Sequence, residues 1–232
     1  MAASVIDLEH ILVLVSAAGC LALVYAEYSG NDALRTASKL VASGAFVSLG
    51  VALVRAIPDG TSLTYAKVIL VGLVFGAIGD IALLGRSSRA FLGGLVAFLI
   101  GHLAYVAAAG VLVSPSAWLG GDGALALAAI PVLGGGIALR WLWPKLGSMR
   151  VPVIVYVLAI VTMVVAALAV WRSHALPNPQ RSWLLIGAVL FFISDIAVAR
   201  DKFVAKGFAN RVWGLPAYFA GQLMIAWSLA GL

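Results

Sequence analysis

The sequence predicts an all-α, polytopic membrane protein of eight transmembrane helices, and three observations carry that prediction. Hydrophobic residues make up 63% of the 232, only 10% are charged, and the mean hydropathy is +1.10; a soluble domain carries about 25% charged and about 45–50% apolar residues. The apolar residues gather into eight stretches of the length a helix needs to cross a hydrocarbon core of about 30 Å, roughly 20 residues each. The basic residues between them fall unevenly on the two faces that eight crossings define. Intrinsic disorder is excluded by the hydrophobicity, and a disulfide scaffold by the presence of one cysteine, Cys20.

Helix 1, at about 9–27, is expected to be retained, because Asp7 and Glu9 stand where a signal peptide carries basic residues. Its Ala17-Ala18-Gly19-Cys20 run reads as a small-residue packing face. Helix 2, at about 35–55, carries Lys39 near its start and stops before the turn Pro58-Asp59-Gly60. Helix 3, at about 65–85, contains Asp80, and helix 4, at about 89–113, contains His102 and Tyr105. The run Gly120-Gly121-Asp122-Gly123 leads into helix 5, at about 124–142, and Tyr156 lies early in helix 6, at about 151–171. Pro177-Asn178-Pro179 separates it from helix 7, at about 182–200, which holds Asp195; helix 8, at about 211–231, holds Tyr218 and Gln222. The linkers are short, so residues 1–232 are expected to form a single integral membrane domain.

An even number of crossings puts both termini on one side. Loops 1–2, 3–4, 5–6 and 7–8, with the adjoining helix ends, hold eleven of the fifteen Lys and Arg; the other face holds Arg55, Lys67, Arg172 and Arg181. The positive-inside rule then makes the first face cytoplasmic and places both termini outside. The net charge of +6 is read as this orientation signal, and no nucleic-acid partner is expected. The basic stretch from Arg200 to Arg211 also offers cations to anionic headgroups. The expected location is the bacterial inner (cell) membrane.

Helices 3 and 7 carry related strings, Gly79-Asp80-Ile81-Ala82-Leu83 and Ser194-Asp195-Ile196-Ala197-Val198, and helices 4 and 8 continue with Gly101-His102-Leu103 and Gly221-Gln222-Leu223. Two four-helix pseudo-repeats in parallel orientation explain the pairing. Ionisable groups within a bilayer are expensive unless paired or facing a polar cavity, so each is a candidate site. Lys39 lies about one turn from the cytoplasmic helix ends, Asp80, Asp195 and Tyr156 about five residues in, and His102, Tyr105, Tyr218 and Gln222 deeper; at about 1.5 Å per residue all fall in one layer of roughly 15 Å in the cytoplasmic half. The aspartates weigh most, because a carboxylate is too short to snorkel and the two recur in matching strings at matching depth. Lys39 has headgroups as an alternative destination, and the tyrosines suit interfacial packing as well as a site. No zinc-type cluster, phosphate loop, nucleophile elbow or dinucleotide fingerprint is present, and Gly134-Gly135-Gly136 lies in an apolar helix without phosphate-binding context.

At these residues the sequence resembles the YhhN family, whose eukaryotic members are the lysoplasmalogenases. The resemblance rests on Gly79-Asp80, on Phe98, His102 and Tyr105, on Pro152 to Tyr156, on Gly187-Ala188, Phe192, Ser194-Asp195, Ala199 and Phe203, and on Tyr218 and Gln222. Lys39 fits a lysine early in helix 2, although Leu40 follows where the family often has proline. The pattern covers roughly residues 35 to 231.

The resemblance implies hydrolysis of the vinyl ether of a lysoplasmalogen to a fatty aldehyde and glycerophosphoethanolamine or glycerophosphocholine. Such a bond is cleaved by protonating its β-carbon; water captures the oxocarbenium ion, and the hemiacetal collapses. Two carboxyl groups suffice, as in glycoside hydrolases. Asp80 and Asp195 are the expected catalytic pair, facing one another with one proton between them. Lys39, His102, Tyr105, Tyr156, Tyr218 and Gln222 are expected to bind or orient substrate, with Lys39 on the phosphate or paired to an aspartate. The expected partners are an alkenyl lysophospholipid, water and membrane lipids, with no cofactor and no metal. Two alternatives stay open: a small proton-coupled transporter, and a hydrolase of another single-chain lipid.

Overall fold

Eight long α-helices and no strand make up the described residues, 7–232, of this computed structural model. They are α1 (Leu8–Ser29), α2 (Asp32–Ala56), α3 (Thr61–Ala82), α4 (Ser88–Leu112), α5 (Ala124–Leu142), α6 (Arg150–Ser173), α7 (Gln180–Ala199) and α8 (Phe208–Trp227). Seven have the length and apolar content to cross a membrane on composition alone. The exception, α8, carries Asn210, Arg211, Pro216 and Gln222, and both Asn210 and Gln222 are buried inside the bundle. Large apolar side chains such as Leu21, Leu133, Ile137 and Val151 point outwards and are exposed, the arrangement that lipid rather than water favours. The protein is an integral, multi-pass membrane protein.

Helix starts follow local capping. Helix α2 begins at Asp32, three residues before the expected 35, because the Asn31 side chain accepts the Leu34 N–H at 3.0 Å. The Ser87 hydroxyl likewise accepts from Ala90 N at 3.1 Å and starts α4 at Ser88. At the end of α7 the chain widens into a five-residue π-helical turn, Arg200–Val204, before Gly207 leads into α8. The small-residue run in α1 packs as its composition suggests: Cys20 is buried, the Ser16 hydroxyl donates to Ala42 O at 3.0 Å, and a Cβ on Gly19 would meet Ala42 Cβ at 2.9 Å.

The tightest helix pairs are α3 with α4 and α7 with α8, and both meet glycine to glycine. A Cβ on Gly101 of α4 would sit 3.2 Å from Gly72 O of α3, and a Cβ on Gly221 of α8 would sit 3.0 Å from Gly187 O of α7. Gly72 and Gly187 each lie eight residues before their aspartate, and Gly101 and Gly221 each immediately precede His102 and Gln222. This shared backbone approach supports the two four-helix pseudo-repeats and sets the depth of both carboxylates. Gly187→Ala brings the new methyl to 2.8 Å from Gly221 O, a backbone atom with no freedom to move aside. It is expected to cost about 1–3 kcal/mol and to lower the melting temperature in detergent by several degrees. Gly44→Ala, which meets nothing within 4 Å, is the control, and by helix propensity alone it gains about 0.5–1 kcal/mol. Equal melting temperatures for the two variants would contradict the close approach.

Candidate active site

A cavity opens among the helix ends that carry most of the basic residues and runs inwards to Tyr218, Phe191 and Phe98. Its volume of about 120 Å³ admits several waters, at roughly 10–15 Å³ each. Lys39, Asp80, Tyr156, Asp195 and Tyr218 line it. His102, Tyr105 and Gln222 stand behind this wall, each of them buried.

Asp80 is held on both oxygens. Lys39 Nζ lies 3.2 Å from Oδ1, while the hydroxyls of Ser43 and Tyr218 donate to Oδ2 at 2.6 and 2.8 Å. Lys39 and Ser43 are one helical turn apart on α2 and so present their side chains to α3 together. Behind Tyr218 a chain of hydrogen bonds continues: Gln222 Nε2 donates to the Tyr218 hydroxyl at 3.3 Å, and the Tyr105 hydroxyl donates to Gln222 Oε1 at 2.6 Å. Gly76 and Gly72 make room for this chain, since a Cβ on either would collide with Gln222 or with the Tyr105 ring.

Asp195 has different partners. The Tyr156 hydroxyl donates to its Oδ2 at 3.0 Å, and His102 Nε2 lies 3.6 Å from the same oxygen, beyond hydrogen-bond reach. Neither ring nitrogen of His102 has a hydrogen-bond partner among the described residues, although the ring packs edge-on against Tyr156 and Phe191. No side chain bonds Asp195 Oδ1 among the described residues, and the Asp195 side chain is 18% exposed, against 4% for Asp80. The two aspartates therefore share one cavity but not one hydrogen bond: Asp80 is held by Lys39 and Ser43 of α2 and by Tyr218 of α8, Asp195 by Tyr156 of α6. Lys39 from the second helix of the first half serves Asp80, and Tyr156 from the second helix of the second half serves Asp195.

Sequence reasoning brought together Lys39, Asp80, Tyr156, Asp195 and Tyr218, and gave two destinations for Lys39; the structure pairs it with Asp80. Ser43 escaped notice, although its position one turn after Lys39 was a usable signal. Asn210, Arg211 and the aromatic group of Phe98, Phe191 and Tyr218 also line the cavity, with ring centroids 5.3–6.1 Å apart. At the mouth Arg35 lies 3.0 Å from Glu27 and donates to Leu83 O at 3.1 Å, closing the end of α3. Arg211 donates to Asp201 Oδ2 at 2.8 Å, and its Nε lies 3.8 Å from Glu27. No group of three or more His, Cys, Asp or Glu stands close enough to hold a metal ion among the described residues.

Eight long helices around a cavity with two separately seated carboxyl groups define an integral membrane protein with a built polar site inside its helical bundle. Residues 34–229, from the first turn of α2 to just past α8, match the YhhN family, and the chain belongs to that family. Lysoplasmalogenase TMEM86A of Bos taurus is 30% identical over 167 residues, covering 69% of this chain and 64% of that protein. Its Homo sapiens counterpart is 32% identical over 168 residues with the same coverage. A lysoplasmalogenase of Mycobacterium bovis is 34% identical over 140 residues, 59% of this chain and 49% of that protein. The matched part of the chain thus spans between about half and two thirds of the length of these curated relatives. No solved structure matches.

Proposed function

We propose that this protein is a lysoplasmalogenase-like hydrolase that cleaves the vinyl ether of an alkenyl lysophospholipid with water, working from the cytoplasmic half of the membrane with both termini outside. The observation that carries the reading is the inequality of the two carboxyl groups. Asp80, gripped by a lysine and two hydroxyls, is a fixed negative charge with no free oxygen. Asp195 has no cation at bonding distance and keeps Oδ1 open to the cavity. The names of the relatives support the same chemistry.

The proton starts on Asp195. It passes from the carboxyl to the vinyl β-carbon, the C=C π electrons forming the new C–H bond, and leaves an oxocarbenium ion between the α-carbon and the ether oxygen. The negative charge of Asp80 and the faces of Phe98, Phe191 and Tyr218 stabilise this cation where it forms. Water adds to the α-carbon and returns a proton to the Asp195 carboxylate, the carboxyl group acting first as acid and then as base. The hemiacetal then loses the glycerol oxygen as an alcohol and becomes the aldehyde. Tyr156, with the His102 ring packed edge-on against it, orients Asp195; Ser43, Tyr218, Gln222 and Tyr105 keep Asp80 in place.

The test is aldehyde release from purified protein in detergent, given a 1-alkenyl lysophospholipid beside its 1-alkyl analogue. Aldehyde from the alkenyl lipid only is expected, because the saturated ether has no π electrons at its β-carbon to take up a proton. Release from neither, combined with pH-driven solute flux in liposomes, would replace this reading with transport.

A further inference from the structure

We infer that Arg211 is the anchor for the substrate's phosphate, the group that sets headgroup-bearing lipids apart from neutral ones. The inference rests on the reading of the substrate as a lysophospholipid, and four observations carry it.

Lys39, the cation first expected at the phosphate, is engaged: its side chain is 9% exposed and bonded to Asp80. Arg211 is the other cationic side chain on the cavity wall, and it is 32% exposed at the mouth. Its position on α8 is metrically suited to the task. Arg211 and Tyr218 are separated by seven residues, two turns, so both lie on one face of the helix about 10 Å apart along its axis. Gly214 and Leu215 fill the same stripe of cavity wall between them. In an alkenyl lysophospholipid seven bonds separate the vinyl β-carbon from phosphorus, a reach of about 9 Å at ordinary bond lengths. A lipid with its double bond beside Tyr218 and the two aspartates thus brings its phosphate to Arg211.

Charge at the mouth agrees. Arg35 and Arg211 gather there around Glu27 and Asp201, Arg200 joins them through Asn210, and Asp32 lies 2.6 Å from Arg86 and 3.9 Å from Arg35. Glu27 is already held by Arg35, and Asp201 Oδ1 accepts from Asn210 Nδ2 at 3.0 Å and from Gly207 N at 3.1 Å. With Lys202 Nζ 4.4 Å from the Phe91 ring of the cavity wall as well, the mouth is left with positive charge in excess, the sign a phosphodiester calls for. Of the five N–H groups of Arg211 one is bonded, to Asp201, which fixes the plane of the fork and leaves other donors to a phosphate.

The experiment compares two substrates with the same alkenyl chain, 1-alkenylglycerophosphoethanolamine and 1-alkenylglycerol, on wild type, Arg211→Gln and Arg211→Lys. The readout is the ratio of kcat/KM for the phospholipid to that for the neutral lipid. Arg211→Gln is expected to lower this ratio about 10- to 100-fold, chiefly through KM of the phospholipid, the usual size of a lost charge-assisted pair. Arg211→Lys is expected to fall between, keeping the charge without the fork. An unchanged ratio in Arg211→Gln overturns the assignment, and turnover of the neutral lipid reports that the variant is folded. If wild type releases aldehyde from neither lipid, the hydrolase reading fails and the phosphate site is decided by binding alone. Native mass spectrometry with a 1-alkyl lysophospholipid and a 1-alkylglycerol then serves: preference for the phospholipid that disappears in Arg211→Gln sustains the site, and equal retention in both proteins overturns it.

Discussion

Asp195→Asn is expected to lower kcat for aldehyde release by about 10²- to 10⁴-fold, the range a positioned general acid supplies, while the protein keeps its melting temperature within a few degrees. The amide retains the shape of the carboxyl group, and its oxygen still accepts the Tyr156 hydroxyl that now reaches Oδ2 at 3.0 Å. It has no acidic proton to give to carbon, and in the proposed reaction protonation of the β-carbon is the step that everything else follows. Because Asp195 has no cation beside it at bonding distance, neutralising it strands no charge. Aldehyde release and thermal unfolding measured on the same preparation separate the two effects. Turnover within tenfold of wild type would remove Asp195 from the acid's role.

Lys39→Met is expected to act on stability first. Lys39 and Asp80 are both buried, with side chains 9% and 4% exposed, and removing one partner leaves a carboxylate in the bundle with only the Ser43 and Tyr218 hydroxyls to solvate it. Breaking a buried pair in this way costs about 3–5 kcal/mol, a fall of roughly 6–20 °C in melting temperature for a chain of this size. Adding Asp80→Asn to Lys39→Met removes the stranded charge, and the double variant should recover most of the lost stability. It should not recover turnover, since no fixed negative charge remains to face the oxocarbenium ion. A single variant that melts like wild type would mean that Lys39 reaches solvent and that Asp80 does not depend on it.

The number of helices was legible in the sequence because a bilayer sets their length and makes every charged break conspicuous. Asp80 and Asp195 were legible for the same reason, as charges where charge is expensive. What each one touches was not. In a soluble helix the apolar stripe tells which side faces the core, but here the lipid-facing and core-facing sides are both apolar, so depth along the axis was readable and rotation about it was not. That is why His102, Tyr105 and Gln222 were grouped with the cavity residues, at the right depth, yet stand behind its wall. Ser43 was hidden by its ordinariness, for serine is common in such helices. The glycines were the unread signal for rotation: Gly72, Gly101, Gly187 and Gly221 mark the sides on which α3 meets α4 and α7 meets α8.

The glycine contacts that recur in the two halves bear on why one chain holds both. Two identical four-helix units closing on each other would hand each carboxyl group the same neighbour, and a site with twin acids or twin charges has no division of labour. Once the units are joined in a single polypeptide, each copy is free to drift, and the partner that the second helix of each half offers its aspartate differs, Lys39 for Asp80 and Tyr156 for Asp195. A cation beside one carboxyl group and a hydroxyl beside the other are enough to give the vestibule unlike walls, a lysine–aspartate pair facing a tyrosine–aspartate bond.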